Sequence, residues 1–349
     1  MRWRPGAPGG NRLSIANLPT NMLCSLVLLA GELGVSCESW FAGMRLNVQE
    51  IHDPQARVSY RQASEIIRRA LPTLPIDGVG LAIGGKQNGG NFGLLGLAMK
   101  TAPTFGDAVQ IGLEYQRNLG PLMELSLHER DGGALAVVAA APREADDLLP
   151  FLCEEMFSSI LMLARELAGN EFSPLHLELG YPPPRYAQRY GELFDCEVRF
   201  GQPRHAMVLD RRWLELPFAS YNPVTSSQAL ALCRAQLAAM SLRGETTAAV
   251  ERQLRPRLRE NPQMTDVAAA LHLSERTLRR QLAEEEISFS AIHDRVRTER
   301  ALELLQEPDL TIAWIGGQIG FNDVREFRRA FKRWTGRTPS QARLPASSR

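Results

Sequence analysis

Lysine is almost missing from this chain. Only Lys86, Lys100 and Lys332 occur among 349 residues, and the other 37 basic side chains are arginine. That bias reports a GC-rich coding sequence before it reports any function. Cysteine is sparse and unpatterned. Cys24, Cys37, Cys153, Cys196 and Cys233 make no Cys-x-x-Cys pair and leave one over. This argues against zinc-ligand spacing and a secreted disulfide framework, and for reduced thiols in a cytoplasmic protein. The apolar run Met22 to Ala30, MLCSLVLLA, falls short of the ~20 residues that a membrane-spanning helix needs. With Arg2 and Arg4 upstream it imitates a signal peptide. The sequence after it, GELGVSCESWFAGMRL, continues in a helical manner, so a first core helix is expected instead.

Catalytic signatures are missing too. The six histidines are scattered, with no His-Glu-x-x-His and no i, i+4 pair. No Gly-x-Ser-x-Gly supports a hydrolase nucleophile, although a Ser-His-Asp triad assembled by the fold stays open at this point. The stretch DGVGLAIGGKQNGGNFG has neither the Gly-Lys-Ser/Thr ending of a P-loop nor a Gly-x-Gly-x-x-Gly opening a helix. It reads as a flexible loop beside a packed turn. No catalytic residue, metal site or cofactor is expected.

The chain is long enough for two domains. Its formal charge is only +1, but the distribution is uneven. From Glu251 onward, 18 basic side chains face 14 acidic ones, giving +4, and the first 250 residues carry −3. The body mixes element types. Ile66, Ile67 and Leu71 have helical spacing over residues 62–71, closed by Pro72. Residues 107–119 read as another helix. LMELSLHER and ALAVVAAA flank Asp131-Gly132-Gly133, a hairpin signal. A long helix is expected from Ala145 to Leu167. A strand in LHLELGY, a helix from Pro184 to Leu193, and strands in CEVRF and AMVLD follow. Strands arriving in hairpins point to an α+β domain with an antiparallel sheet. Beyond LPFASYNP the strand signals stop. Ser227 to Leu242 is expected as a helix ending before Gly244, and Pro256 should kink or break the next one.

The tail repeats itself. TDVAAALHLSERTLRRQL and AWIGGQIGFNDVREFRRAF align as helix, tight turn, helix. Val267, Leu271 and Leu273 match Ile315, Ile319 and Phe321 at a shift of 48, and Leu278, Arg279, Arg280 and Leu282 match Phe327, Arg328, Arg329 and Phe331 at 49. Ser274 can cap the second helix of the first unit, and Asn322 or Asp323 that of the second. Phe327, Phe331 and Trp334 fall on one stripe of a helix and are expected in the core, not as platforms for stacked bases. Between the units, Phe289 to Gln306 reads as one helix of ~27 Å, with Ile292, Val296, Leu302 and Leu305 as buried candidates. Such a strut suits two recognition helices set about one DNA turn apart.

These residues resemble a known family. Residues 250 to 345 are similar to the DNA-binding domain of the AraC/XylS family of bacterial transcription regulators. The matches are RVRTERALELLQEPDLTIAWIGGQIGF and FRRAFKRWTGRTPSQAR, with the Gly320-Phe321 turn, the Phe327/Phe331 pair and the Gly336-x-x-Pro339 ending. Gly316-Gly317 departs from the family pattern, which has a small residue such as Ala followed by a polar one. Adjacent helical glycines make the second unit the looser of the two. GLLGLAMKTAPTFGDAV and YGELFDCEVRFGQPRHAMVLDRRWLELPF resemble, more weakly, the arabinose-binding-like effector domain of one branch.

The resemblance implies a layout and a function. Residues 1–19, rich in Gly, Pro and Arg, are expected to be disordered by composition, with 20–230 an effector-binding and dimerisation domain, 231–249 a linker helix, and 250–349 an all-α domain of two helix-turn-helix units joined by a long helix. The protein would be a cytoplasmic transcription regulator and not an enzyme. The implied role is an activator answering to a small-molecule effector, with a repressor or an effector-independent regulator as the alternative. Its partners would be double-stranded DNA in two successive major-groove segments, the effector, RNA polymerase and a second copy of itself, with no membrane. By position in the family pattern, Arg276, Thr277, Arg279 and Arg280 face the groove in the first unit. Arg325, Glu326, Arg328 and Arg329 are their counterparts in the second. The family gives no effector-binding residue that carries over.

Overall fold

The computed structural model describes residues 12–53, 56–120, 122–239 and 244–343. They divide into two compact units, Met1–Leu242 and Arg243–Arg349. The first unit contains β1 (Ala16–Pro19), α1 (Asn21–Glu32), β2 (Arg57–Ser59), α2 (Tyr60–Ala70), α3 (Val79–Gly84), α4 (Gly93–Lys100) and α5 (Phe105–Tyr115). Then come β3 (Glu124–Glu129), β4 (Leu135–Ala140), α6 (Leu149–Ala168), β5 (His176–Glu178), α7 (Gln188–Phe194), β6 (Glu197–Arg199), β7 (His205–Leu209) and α8 (Pro223–Ala239).

β3 and β4 form the hairpin around Asp131-Gly132-Gly133. It belongs to a five-stranded sheet of order β3-β4-β7-β5-β6. The sheet is antiparallel except at one edge, where β5 and β6 run parallel. The parallel pair follows from α7, because two parallel neighbours need a crossover between them and α7 supplies it. One face of the sheet, with Val137, Ala139, Met207 and Leu209, is buried with the helices in a single core.

Three expectations need correction in this unit. Residues 1–11 of the segment expected to be disordered lie outside the described residues. Within the rest, Arg12–Ser14 is a 3-10 turn and β1 pairs antiparallel with β2. Ala16 is buried there, so this strand is part of the fold.

The glycine-rich stretch, expected as a loop, instead folds as the short helix α3 followed by a 3-10 turn at Gly89–Phe92 that leads into α4. Its glycines permit contact. A Cβ on Gly80 would stand 2.4 Å from the Phe151 carbonyl oxygen, and one on Gly84 2.5 Å from that of Glu155. α3 lies directly on α6 because both positions lack a side chain. Beside this contact Glu154 is buried and accepts hydrogen bonds from the hydroxyls of Tyr186 (2.7 Å) and Tyr190 (2.6 Å). Burial pushes its carboxyl pKa up, and the tyrosine donors hold part of that shift back.

No single linker helix spans 231–249. α8 places Ala229 and Cys233 in the first core. Asn118 Nδ2 donates to the Cys233 carbonyl and Arg234 Nε to the Tyr115 hydroxyl, both at 3.0 Å. Residues 240–243 lie outside the described residues, and the next helix serves the other core.

The second unit is all helical: α9 (Glu245–Leu254), α10 (Met264–Ala270), α11 (Glu275–Glu284), α12 (Phe289–Leu305), α13 (Ile312–Gln318), α14 (Val324–Thr335) and α15 (Pro339–Arg343). Pro256 acts as expected, since α9 gives way to a 3-10 turn over Arg255–Glu260. The core joins Val250 and Leu254 to Val267, Leu278, Leu282, Ile292, Val296, Leu305, Ile315, Ile319, Phe327 and Phe331. Leu302 is not among them. It is 39% exposed, and α12 instead buries Ala301 and Leu304. Among the described residues, no helix is long and apolar enough to cross a membrane, and no group of His, Cys, Asp or Glu could hold a metal.

Candidate nucleic-acid interface

The two repeats fold alike down to single hydrogen bonds. In the first, α10 and α11 meet at a turn where His272 is left-handed (φ 56°), and Leu273 N–H donates to the Ala268 carbonyl at 2.8 Å. In the second, α13 and α14 meet where Gly320 is left-handed (φ 86°), and Phe321 N–H donates to the Gly316 carbonyl at 2.9 Å. The left-handed position is open to histidine in the first turn but not in the second. A Cβ on Gly320 would stand 2.4 Å from the Leu258 carbonyl oxygen.

Both second helices are capped by side chains, which satisfies N–H groups that would otherwise lack partners. Ser274 Oγ accepts from Thr277 N–H at 3.1 Å, and Asp323, rather than Asn322, accepts from Arg325 N–H at 2.8 Å. α12 ties the units together with 17 residues, a rod of about 25 Å at 1.5 Å per residue.

Arg297 on α12 fixes the second turn. Its Nε donates to the Ile319 carbonyl at 2.9 Å and its Nη2 to Asn261 Oδ1 at 2.8 Å, and its Cζ lies 4.8 Å from the centre of the Phe321 ring. Burial lowers its pKa. This arginine is structural, as is Arg255, paired with Glu299 at 3.0 Å.

The rings in this segment serve the core. Phe327 and Phe331 are fully buried, Trp334 is half-buried, and Phe321 lies 5.7 Å from Phe327 and 5.8 Å from Trp334, centre to centre. At 100° per residue, burying Phe327 and Phe331 turns Arg325, Glu326, Arg329 and Lys332 outward, with Arg328 on one flank. All five are exposed. In α11, burying Leu278 and Leu282 sends Arg276 and Arg280 outward and Arg279 to one flank, and these three are exposed. Thr277 differs, being half-buried with its hydroxyl 2.8 Å from Ser274 Oγ, so it serves the cap as well as the surface.

The two surfaces are not electrically alike. Arg279 Nη2 lies 2.5 Å from Glu275 Oε1, and Arg280 pairs with Glu284. Arg325, Arg328 and Arg329 have no side-chain ion-pair partner among the described residues; on α14 it is Arg333 that is paired, with Asp294 of α12 at 3.5 Å. The carboxylates are visible in the sequence as i, i+4 partners, but attention to the arginines alone passes over them.

An α+β unit with its own core thus precedes a helical unit in which the helix-turn-helix is repeated. Residues 34–218 match the arabinose-binding N-terminal domain of AraC transcription regulators, and residues 267–344 a helix-turn-helix domain. The ornithine utilization regulator of Pseudomonas aeruginosa is 32% identical over 320 residues, 91% of this chain and 94% of its own. The chain belongs to the AraC family of transcription regulators. An uncharacterized HTH-type regulator of Mycobacterium tuberculosis is 28% identical over 92% of this chain and 94% of its own. Among solved structures, the regulator CdpR of Pseudomonas aeruginosa covers 93% of this chain and 98% of its own at 22% identity, with a TM-score of 0.44. As an AraC-family protein, the chain is a DNA-binding transcription regulator whose helix-turn-helix units carry the DNA contact and whose N-terminal unit is of the ligand-binding type.

Proposed function

We propose that this regulator is a cytoplasmic activator that lays α11 and α14 into two successive segments of the major groove. In this reading Arg276, Thr277, Arg279 and Arg280 meet one segment and Arg325, Glu326, Arg328 and Arg329 the next. The observation that carries it is the duplicated helix-turn-helix, with each second helix burying its apolar stripe and presenting arginine on the opposite side. Arginine pairs bidentately with guanine O6 and N7, and Glu326 is suited to accept from cytosine N4. The remaining arginines position the protein on phosphate.

The N-terminal unit then binds a small metabolite, pairs with a second copy, and changes how the DNA-bound regulator engages RNA polymerase. Ornithine is the first compound to try, given the name of the relative from Pseudomonas aeruginosa. The test is transcription from the regulator's own upstream region with and without ornithine, in the wild type and in an Arg329→Ala variant. Effector-dependent output that Arg329→Ala abolishes supports the reading. Output that falls when the regulator is present makes it a repressor, and output indifferent to every compound tried makes it effector-independent.

A further inference from the structure

The two groove helices differ in what stands one turn away from their arginines. In α11, Glu275 precedes Arg279 by four residues and Glu284 follows Arg280 by four, and both pairs are closed in the structure. In α14 the corresponding positions hold Val324 and Arg333. Neither Arg328 nor Arg329 is in a closed ion pair among the described residues, although Glu326 stands three residues before Arg329. Within its bounds α11 sets three arginines against two glutamates, and α14 sets five basic side chains against Glu326 alone, with Arg333 also 3.5 Å from Asp294 of α12.

An arginine already held by a carboxylate gains little from meeting a phosphate, because one anion replaces another. The freed glutamate is also left facing the phosphates, which repel it. A guanine edge is a different partner, since its O6 and N7 fit both arms of the guanidinium.

We infer that Glu275 and Glu284 are specificity determinants of the first unit. They hold Arg279 and Arg280 back from phosphate and release them only to a base edge with two acceptors. α14, without such partners, supplies most of the sequence-independent attraction. This rests on the reading of α11 and α14 as groove helices.

The test measures the full-length protein by fluorescence anisotropy on a random-sequence duplex and on its own upstream region, from 50 to 200 mM salt. Counterion release gives each phosphate contact a slope of about −0.9 in log K against log salt. A Glu275→Gln, Glu284→Gln double variant is expected to bind random DNA more tightly at low salt, with a slope steeper by about 1 to 2. Its preference for the upstream region over random DNA should fall. Val324→Glu, four residues before Arg328, should install the same restraint in α14 and make the slope shallower by about 0.9. Circular dichroism of each variant checks that the helices remain.

If the wild type fails to bind random DNA at 50 mM salt, the groove-helix reading itself is overturned. If it binds, and both variants keep the wild-type slope and preference, the role given to the two glutamates is overturned while the groove reading stands.

Discussion

Gly316 on α13 lies against Phe327 on α14, so closely that a Cβ added there would stand 3.1 Å from the ring's Cδ1. Its neighbour Gly317 has nothing within 4 Å of that position. The adjacent glycines thus have opposite meanings: the first seats the turn of the second unit against its groove helix, and the second is open helix surface. Gly317→Ala should stabilise the second unit by about 0.4–1 kcal/mol by restricting the unfolded chain. Gly316→Val should destabilise it, because Phe327 is fully buried and cannot move aside. Denaturant unfolding of both variants checks the signs. Equal effects would mean that α13 and α14 do not meet as described.

Phe331 and Arg329 sit two residues apart on α14 and should separate stability from binding. Phe331→Ala removes a fully buried ring and is expected to cost about 3–5 kcal/mol. Arg329→Ala should leave the unfolding midpoint unchanged. If Arg329 makes a bidentate base contact, it should lose about 1–3 kcal/mol of discrimination at one base position. A folded Phe331→Ala beside an unfolded Arg329→Ala would reverse the division of this helix.

The second unit was the most legible part of the sequence, for a physical reason. Its helices are amphipathic, and the repeat displays the same pattern twice, so Leu278 and Leu282 vouch for Phe327 and Phe331. What periodicity misses is contact between helices. Leu302 has the right spacing for the core, yet Ala301 and Leu304 take that place because neighbouring helices select which edge of the α12 stripe is covered. Gly80 and Gly84 look like loop residues until α6 is seen lying on them, since glycine signals both a turn and a close crossing. The span 231–249 expected as a linker helix takes in the end of α8 and the start of α9 on either side of the Gly244 stop, and only packing assigns the two helices to separate cores. The ion pairs of α11 were readable at i, i+4, whereas Arg297 was not, because its partners Ile319 and Asn261 lie on other elements.

His293 on α12 gives the second unit a dependence on pH. It is buried against Phe289, and its pKa is pushed down from 6.5 to about 4, first by burial and then by Arg297, with Asp294 opposing. The folded state therefore holds a neutral ring. Below pH 6.5 the unfolded chain takes up a proton that the folded chain refuses. The stabilisation is complete above about 6.5 and is lost progressively as the pH falls toward 4. Hydrogen exchange of the α12 amides should show protection declining across that window. His293→Leu should flatten the decline, and an unchanged profile would show that the ring is not held neutral.

The last prediction concerns the operator. α12 separates the two units by a rod of about 25 Å; its N-terminal end follows the turn from α11, and its C-terminal end leads into α13, which precedes α14. Helices joined in this way should read two short boxes on one face of the duplex, with centres about 10–11 base pairs apart. The surfaces they present differ: Arg276-Thr277 in the first corresponds to Arg325-Glu326 in the second. The boxes should therefore differ in sequence, and the site of one protomer should be directional. A palindrome would arise only from a second protomer placed in the opposite sense. The charge difference sets the order of importance at high salt. The box under α14, with its unpaired arginines, should lose protection faster as salt rises than the box under α11. Footprinting on the upstream region checks the arrangement. Inserting five base pairs between the boxes moves them to opposite faces and should abolish joint protection, whereas ten should restore part of it. Protection that survives the five-pair insertion unchanged would mean that only one unit reads DNA, and the groove residues assigned to the other would then be wrong.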